Sequence, residues 1–289
     1  MKDFKRKLAF FIRCLRHIKQ PKICPYCHSN LYSRVDSKFF VTELLKCCVC
    51  NLNYRHPKDS ENYLEEFYEK KYDMGERIET KLPSKKELRE LMDTNFPIQR
   101  DYSDYCLALC KNVNSRIIDY GCSWGYTVFQ LKKTGFDVQG FEISKFRAQF
   151  ANKLGVVVQS EISNLRVDND LIFSSHVMEH LADIKRYIEL SGSFLKEEGI
   201  FMAFCPNGSN EYQQRDPLVY KGSWGDIHVN AIDIEFAMYA FQKNPYIILT
   251  GDWKFDLQLL SEWNGQSQVV GEQKDGKELL IISKPNLSC

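Results

Sequence analysis

Two closely spaced cysteine pairs are the first residues in this sequence whose types and spacing could do chemistry. Cys24 and Cys27 form one CxxC and Cys47 and Cys50 a second, within KICPYCHSNLYSRVDSKFFVTELLKCCVC. Each CxxC can sit on a tight turn that points two sulfurs at one place. Two such knuckles on a short hairpin supply the four thiolates of a tetrahedral zinc site. Four thiolates leave no open position, so the expected ion is structural. Cys48 and His28 lie close by, but either would break the two-knuckle symmetry. The apolar stretch FFVTELL between the knuckles reads as a connecting strand.

A second group lies in RIIDYGCSWGYTVFQLKKTGFDVQGFEIS, residues 116–144. An apolar run meets a glycine-bounded turn, an amphipathic stretch follows, and a second apolar run ends in an acid. That order of strand, loop, helix and strand suits a nucleotide-like ligand. Gly121 and Gly125 remove side chains at both ends of the turn, with Cys122, Ser123 and Trp124 between them. The GxGxxG spacing that brings a backbone onto a pyrophosphate is absent, so a bulky ligand without a diphosphate is expected. Asp119 would be awkward beside a phosphate but useful near an ammonium group. Glu142 is placed to accept hydrogen bonds from two ribose hydroxyls.

Two histidines are candidates for proton transfer, because imidazole titrates near neutral pH. His176 follows the apolar run DLIFSS, where such a sheet opens onto its ligands, and His228 lies in a later loop. His180 reads as a structural residue at a helix start. Cys122 and Cys205 have no base adjacent in sequence and suggest no covalent chemistry. Tyr68 and Tyr72, four apart on a helix, either pack together or close over the ligand.

Residues 116–289 alternate strands and helices. RIIDYG, DVQGFEI, VVV, DLIFSSHV and GIFMAFCP read as strands. YTVFQLKKTG, ended by Gly135, and SKFRAQFANKLG, capped by Ser144, read as helices, as does the region of about 182–196. HVNAIDIEFAMYAFQKN is expected to be a further helix, and YIILTGD and ELLIISK a terminal strand pair. The pattern predicts an α/β fold with a doubly wound, mainly parallel sheet. Residues 1–20 form a basic amphipathic helix, with Phe4, Leu8, Phe11, Leu15 and Ile18 on one stripe. Residues 21–56 make the ribbon, 57–112 a helical linker punctuated by Pro83 and Pro97, and 113–289 the α/β domain.

The net charge of +1 hides an asymmetry. Residues 1–20 carry seven Lys or Arg against one acid, so the rest of the chain is about five charges negative. That weighs against a body built to track nucleic-acid phosphates. The early apolar run LAFFI is cut short by Arg13, and clustered cysteines suit a reducing setting. The expected location is cytoplasmic; residues 1–20 read either as a helix packed on its own protein with a solvated basic face, or as a peripheral contact with the inner membrane surface or a protein partner.

At Asp119, Gly121, Cys122 and Gly125 the sequence resembles the class I S-adenosylmethionine-dependent methyltransferases, whose first motif is D-x-G-C-G-x-G. Ser123 stands where that family usually has glycine. DNDLIFSSHVMEHLAD, with Glu179-His180, resembles the family's fourth-strand signature, and GIFMAFCPN its fifth strand ending in Pro206-Asn207. WGDIHVNAIDIEFA resembles the segment in which a histidine precedes a helix beside the active site. The paired CxxC, Pro57 and EEFYEKKY resemble a bacterial subgroup with a zinc ribbon ahead of a Rossmann-like methyltransferase sheet, often associated with sugars or cell-surface glycans.

The resemblance implies transfer of a methyl group from S-adenosylmethionine to a sugar or glycan-precursor hydroxyl. It places Asp119, Gly121, Cys122, Ser123, Gly125, Glu142, Ile143, Ser160, Glu161 and Ser175 around the cofactor, with Gln159 and its neighbours near the adenine edge. His228 is the first choice of base and His176 the second. An RNA-base methyltransferase and a non-catalytic S-adenosylmethionine-binding docking protein are the competing readings.

Overall fold

In the computed structural model, residues 2–70, 81–93 and 101–286 are described. The expected part of Tyr72 and the break at Pro97 lie outside them. Helix α1 (Lys2–His17) leads to a hairpin of β1 (Tyr32–Lys38) and β2 (Thr42–Cys47), then β3 (Asn53–His56). Three helices follow: α2 (Glu61–Lys70), α3 (Lys85–Asp93) and α4 (Ser103–Cys110).

The alternating region comprises β4 (Arg116–Tyr120), α5 (Tyr126–Thr134), β5 (Asp137–Phe141), α6 (Lys145–Lys153) and β6 (Val158–Gln159). It continues through β7 (Asn169–Ser175), α7 (Ile184–Ser193) and β8 (Leu195–Pro206). The remainder is α8 (Asn210–Arg215), α9 (Pro217–Ser223), β9 (Asn230–Ala231), α10 (Ile234–Phe241), β10 (Tyr246–Gly251), α11 (Leu257–Glu262), β11 (Gln268–Val270) and β12 (Glu278–Ser283).

The large sheet runs β11-β10-β12-β8-β7-β4-β5-β6. Strands β4 to β8 pair in parallel, and β12 inserts antiparallel between β8 and β10. Successive residues on these strands enter opposite cores. Ile118, Ile172, Phe201 and Ala203 join one, while Ile117, Leu171, Phe173 and Met202 join the other. Burial of both faces explains why the strands read as unbroken apolar runs. The helix ends follow their capping residues. Gly135 ends α5 with φ 114°, and the Ser144 side chain accepts from the Arg147 amide at the start of α6.

The ribbon is not a separate bead. Leu45, Cys47, Cys50, Leu52 and Tyr54 belong to the same core as the sheet's Ile118 and Ile172 and to Phe236 of α10. Its sheet runs β1-β2-β3-β9, so the fourth strand comes from the far end of the chain, with Tyr54 opposite Asn230.

Four local expectations change. The helix expected from His228 begins only at Ile234, because Asn230 and Ala231 pair with β3. Phe39 and Phe40 are turn residues with φ 52° and 59°, and the hairpin's strands lie on either side of them. Of the VVV run only Val158 enters a strand, and the helix expected over about 182–196 is shorter, because Leu195 already pairs with Asn169.

Candidate functional site

The loop after β4 is built for close approach. Gly121 (φ 82°) and Gly125 (φ 85°) are left-handed, and so is Ser123 (φ 52°). A Cβ on Gly121 would lie 2.5 Å from Val177 Cγ2, so glycine lets the loop touch the turn that follows β7. The Gly121 and Cys122 amides both donate to the Phe141 carbonyl, at 2.8 and 3.0 Å. Glu142 fastens the loop from the next strand: Oε2 accepts from the Ser123 amide and Oε1 from the Ser144 amide, both at 2.9 Å. Arg147 Nη1 donates to Ser123 Oγ at 2.8 Å, an anchor that a glycine at this position would lack.

Those two amides leave acceptor capacity on Glu142, since a carboxylate has about four lone-pair positions. Burial raises its pKa, while the Ser144 amide, Arg147 and the Ser123 amide pull it down. Asp119 is 2% exposed, and its Oδ2 has no hydrogen-bond partner. Burial, and then the charge of Glu142, push its pKa up to about 8. A buried oxygen without a donor is the group that a ligand's ammonium would satisfy, so the site fits an ammonium-bearing nucleoside.

The other expected cofactor residues fall unevenly around this loop. Ile143 is exposed beside Glu142. Ser160 is half-buried, and Glu161 is exposed and paired with Lys145 at 3.1 Å. Ser175 Oγ shares a hydrogen bond with Tyr102 Oη at 2.6 Å. The Cys122 sulfur lies behind the loop, filling the space that a Cβ on Gly140 would need. Trp124 is 1% exposed and packs with Leu91 and Tyr126.

The turn at Met178–His180 and the loop carrying His228 come together at the carboxyl end of β7. The Val229 amide donates to the Glu179 carbonyl at 2.8 Å, and Asn230 Nδ2 donates to the carbonyls of Met178 and Leu181. The His180 and His228 rings meet edge to face with centroids 4.6 Å apart, and Tyr68 of α2 lies 6.2 Å from His180. The ligand atoms of Glu179, His180 and His228 are all within 4.8 Å of one another. From sequence alone His180 reads as a structural residue, because its partner loop is remote in the chain.

The two candidate bases differ in state. His176 lies between carboxylates, with Nδ1 3.2 Å from Glu179 Oε1 and Nε2 2.9 Å from Glu278 Oε1. Burial would lower its pKa, but the bonds to Glu179 and Glu278 prevail and raise it to about 9. At neutral pH that ring carries both protons and has no lone pair to offer. Burial would likewise raise Glu179, yet the bond from His176 and the neighbouring imidazoles bring it down to about 2. His228 Nδ1 donates to the Ser223 carbonyl at 2.6 Å, which leaves Nε2 as the basic nitrogen. Burial lowers the pKa of His228, and burial together with His228's charge lowers that of His180 to about 3.

The four ribbon cysteines converge. Cys24 and Cys50 sulfurs are 3.5 Å apart, Cys27 and Cys47 sulfurs 3.4 Å, and all four lie within 4.8 Å. Sulfurs on one tetrahedral zinc stand about 3.8 Å apart, so this set fits the ion. Cys48 is exposed, outside the cluster.

Arg55, which sequence reading did not single out, links ribbon to site. Its side chain is fully buried; Nη1 donates to the carbonyls of Gly225 (2.8 Å) and Asp226 (3.2 Å), and Nη2 to Asp59 (2.6 Å). Arg13 of α1 joins the same group through Asp59 (2.6 Å) and Asp226 (2.5 Å).

Among the described residues no helix is long and apolar enough to cross a membrane. No curated protein matches the chain by sequence. Among solved structures, a SAM-dependent methyltransferase from Thermotoga maritima is similar at 18% identity and TM-score 0.44, covering 68% of this chain and 93% of that one. The plantazolicin methyltransferase BpumL in complex with SAH is similar at 15% identity and TM-score 0.48, covering 76% and 93%. A Pyrococcus horikoshii protein is similar at 13% identity and TM-score 0.49, covering 74% and 98%. The family profile described as "Methyltransferase domain" matches residues 84–231, which hold the glycine loop, Glu142 and the Glu179–His180 turn, and the chain belongs to this family, as a class I S-adenosylmethionine-dependent methyltransferase.

Proposed function

We propose that the enzyme methylates a hydroxyl of a sugar or glycan precursor, with His228 rather than His176 receiving the acceptor's proton. Methyl transfer is an in-line displacement at a carbon already activated by sulfonium, so the protein chiefly aligns the reactants and removes a proton. The observation that carries this reading is the His228 ring. Its Nδ1 proton is held by the Ser223 carbonyl, so Nε2 is a basic nitrogen at the carboxyl end of β7. Val177, in the turn there, touches the cofactor loop at Gly121. In this reading Asp119 meets the cofactor's ammonium and Glu142 its ribose, while Ile143, Ser160 and Glu161 border the adenine. His176, clamped between Glu179 and Glu278, orients Glu179.

The ribbon is proposed to hold one structural zinc through Cys24, Cys27, Cys47 and Cys50, and through β3 and Arg55 to position the loop of His228. The division into residues 1–20, 21–56, 57–112 and 113–289 is retained as an organisation by origin, with β9 reaching back to complete the ribbon sheet. The negative charge of the chain beyond residue 20 favours a sugar acceptor over RNA.

The test is formation of S-adenosylhomocysteine against nucleotide sugars, lipid-linked glycans and RNA. His228→Ala is then assayed on whichever acceptor reacts. Turnover should fall about 100- to 10,000-fold with cofactor affinity nearly unchanged. A methylated nitrogen in RNA, or full activity in His228→Ala, overturns the reading.

A further inference from the structure

We infer that Glu179, His180 and His228 bind a divalent first-row transition ion. The three residues supply two imidazoles and a carboxylate, with ligand atoms all within 4.8 Å of one another. Ligands on a single ion stand about 3–3.5 Å apart, so closing the set takes a contraction of at most about 1.5–2 Å.

A second observation points to a ligand independently of the clustering. Glu179 is 2% exposed, and its Oε2 has no hydrogen-bond partner. Its other oxygen is occupied by His176 at 3.2 Å, and His176 is itself held by Glu278 at 2.9 Å. A buried carboxylate with one oxygen braced and the other unsatisfied is how a protein presents a ligand atom.

The surroundings have the form of a supported metal site. His228 donates its Nδ1 proton to a backbone carbonyl, which fixes the tautomer and aims Nε2 as donor atom. The backbone bond from Val229 to Glu179 and the two bonds from Asn230 hold both contributing loops in place. Three protein ligands leave coordination positions open, unlike the closed set of four cysteines. Mixed nitrogen and oxygen ligands suit manganese, iron, cobalt or zinc.

The inference rests on reading this cluster as the acceptor end of the site, and it changes the part of His228. Its Nε2 then ligates the ion, and the acceptor oxygen occupies an open position. There the O–H bond ionises, its proton passing to water. The oxygen lone pair forms the new bond to the methyl carbon while the carbon–sulfur bond breaks, with its electron pair going to sulfur. No oxidant or reductant enters.

The experiment uses the full chain with its ribbon zinc-loaded, and Mn2+ as probe, because thiolates select softer ions. Free Mn2+ is followed by its electron paramagnetic resonance signal during titration, without any acceptor. One Mn2+ per chain is expected for the wild type, with binding at least about ten-fold weaker in Glu179→Gln and in His228→Ala. Circular dichroism and cofactor binding establish that each variant is folded, and the partly exposed His228 gives the safer of the two. Absence of binding by folded wild type to Mn2+, and to Co2+ in a parallel titration, overturns the site and leaves His228 as a base. Equal binding by wild type and both variants also overturns it. A methylated nitrogen product would instead sink the hydroxyl reading and leave the ion site standing.

Discussion

The amide of Val229 donates to the carbonyl of Glu179 at 2.8 Å, and the carbonyl of Val229 accepts from the Arg55 amide at 2.7 Å. One peptide segment is thus held on one side by the turn after β7 and on the other by the ribbon. His228, its neighbour, owes its position to both. A cysteine module far from the glycine loop in sequence therefore has a direct part in arranging the loop that carries His228.

Arg55→Met tests that dependence. The guanidinium is fully buried and bonds Asp59 and the carbonyls of Pro57, Gly225 and Asp226. Its removal leaves those groups short of a donor, for which a loss of about 3–5 kcal/mol is expected in chemical unfolding. Turnover should drop while affinity for S-adenosylmethionine stays within about two-fold, because Asp119 and Glu142 do not contact Arg55. An equal loss in both quantities would show that the ribbon supports the whole domain instead of one loop.

Cys47→Ser combined with Cys50→Ser should abolish the bound zinc, measured as metal per chain in protein purified without added metal. Because ribbon residues share a core with the sheet, the damage should spread from the hairpin to the 225–231 loop. Limited proteolysis reads both places. Zinc retained by the double variant would remove these cysteines from the ligand set.

Glu142→Ala should weaken cofactor binding by roughly 1.5–3 kcal/mol in calorimetry, the scale of hydrogen bonds to a charged group. The same change strips the Ser123 and Ser144 amides of their acceptor, so the apo protein should also unfold more easily. Unaltered affinity would separate Glu142 from the ribose and leave it as a loop fastener.

Asp119 makes the stability of the fold depend on pH. Its folded pKa is pushed up to about 8 by burial and by Glu142, above the ordinary carboxylate value of 3.8. Between those limits the folded chain holds a proton that the unfolded chain has released, so stability falls as pH rises from about 4 to 8. Asp119→Asn should remove that slope, at most about 1.4 kcal/mol per pH unit. Urea unfolding without cofactor should find the two proteins alike near pH 4 and the variant the more stable near pH 8. At pH 8 the cofactor's ammonium should stabilise wild type more than the variant. Parallel pH profiles for the two proteins would contradict the assignment.

The sheet was legible because strands buried on both faces leave continuous apolar runs, and Gly135 and Ser144 mark helix ends by local chemistry alone. Phe39 and Phe40 misled for a physical reason: aromatic residues favour strands, but here a tight hairpin holds both with positive φ. The glycine loop after β4 could be read from consecutive residues. The histidine cluster could not, since Glu278 comes from the last strand and His228 is positioned by β9 against β3. Pairings between remote segments leave no periodic trace.

Helix α1 has two apolar faces of different fate. Phe10 and Cys14 are buried, and Arg13 is tied to Asp59 and Asp226 and stacked 4.1 Å from the Tyr63 ring. That face docks the helix on its own protein. Leu8, Leu15 and Ile18 of the expected stripe are 46%, 50% and 40% exposed, and Ile12 is 40% exposed beside them. Phe11 is only partly buried, against Phe10 and Cys14. An outward apolar strip with Lys and Arg around it suits the interface of an anionic membrane. A leucine taken fully out of water stabilises by about 1.5–3 kcal/mol, so Leu8→Ser with Leu15→Ser should weaken sedimentation with phosphatidylserine-containing vesicles at least ten-fold. Raising the salt should weaken it further by screening the basic residues. Arg13 is untouched by these changes, so the fold and turnover on a soluble acceptor should be retained. Vesicle binding that is equally strong in the double variant would leave the exposed strip without a membrane role.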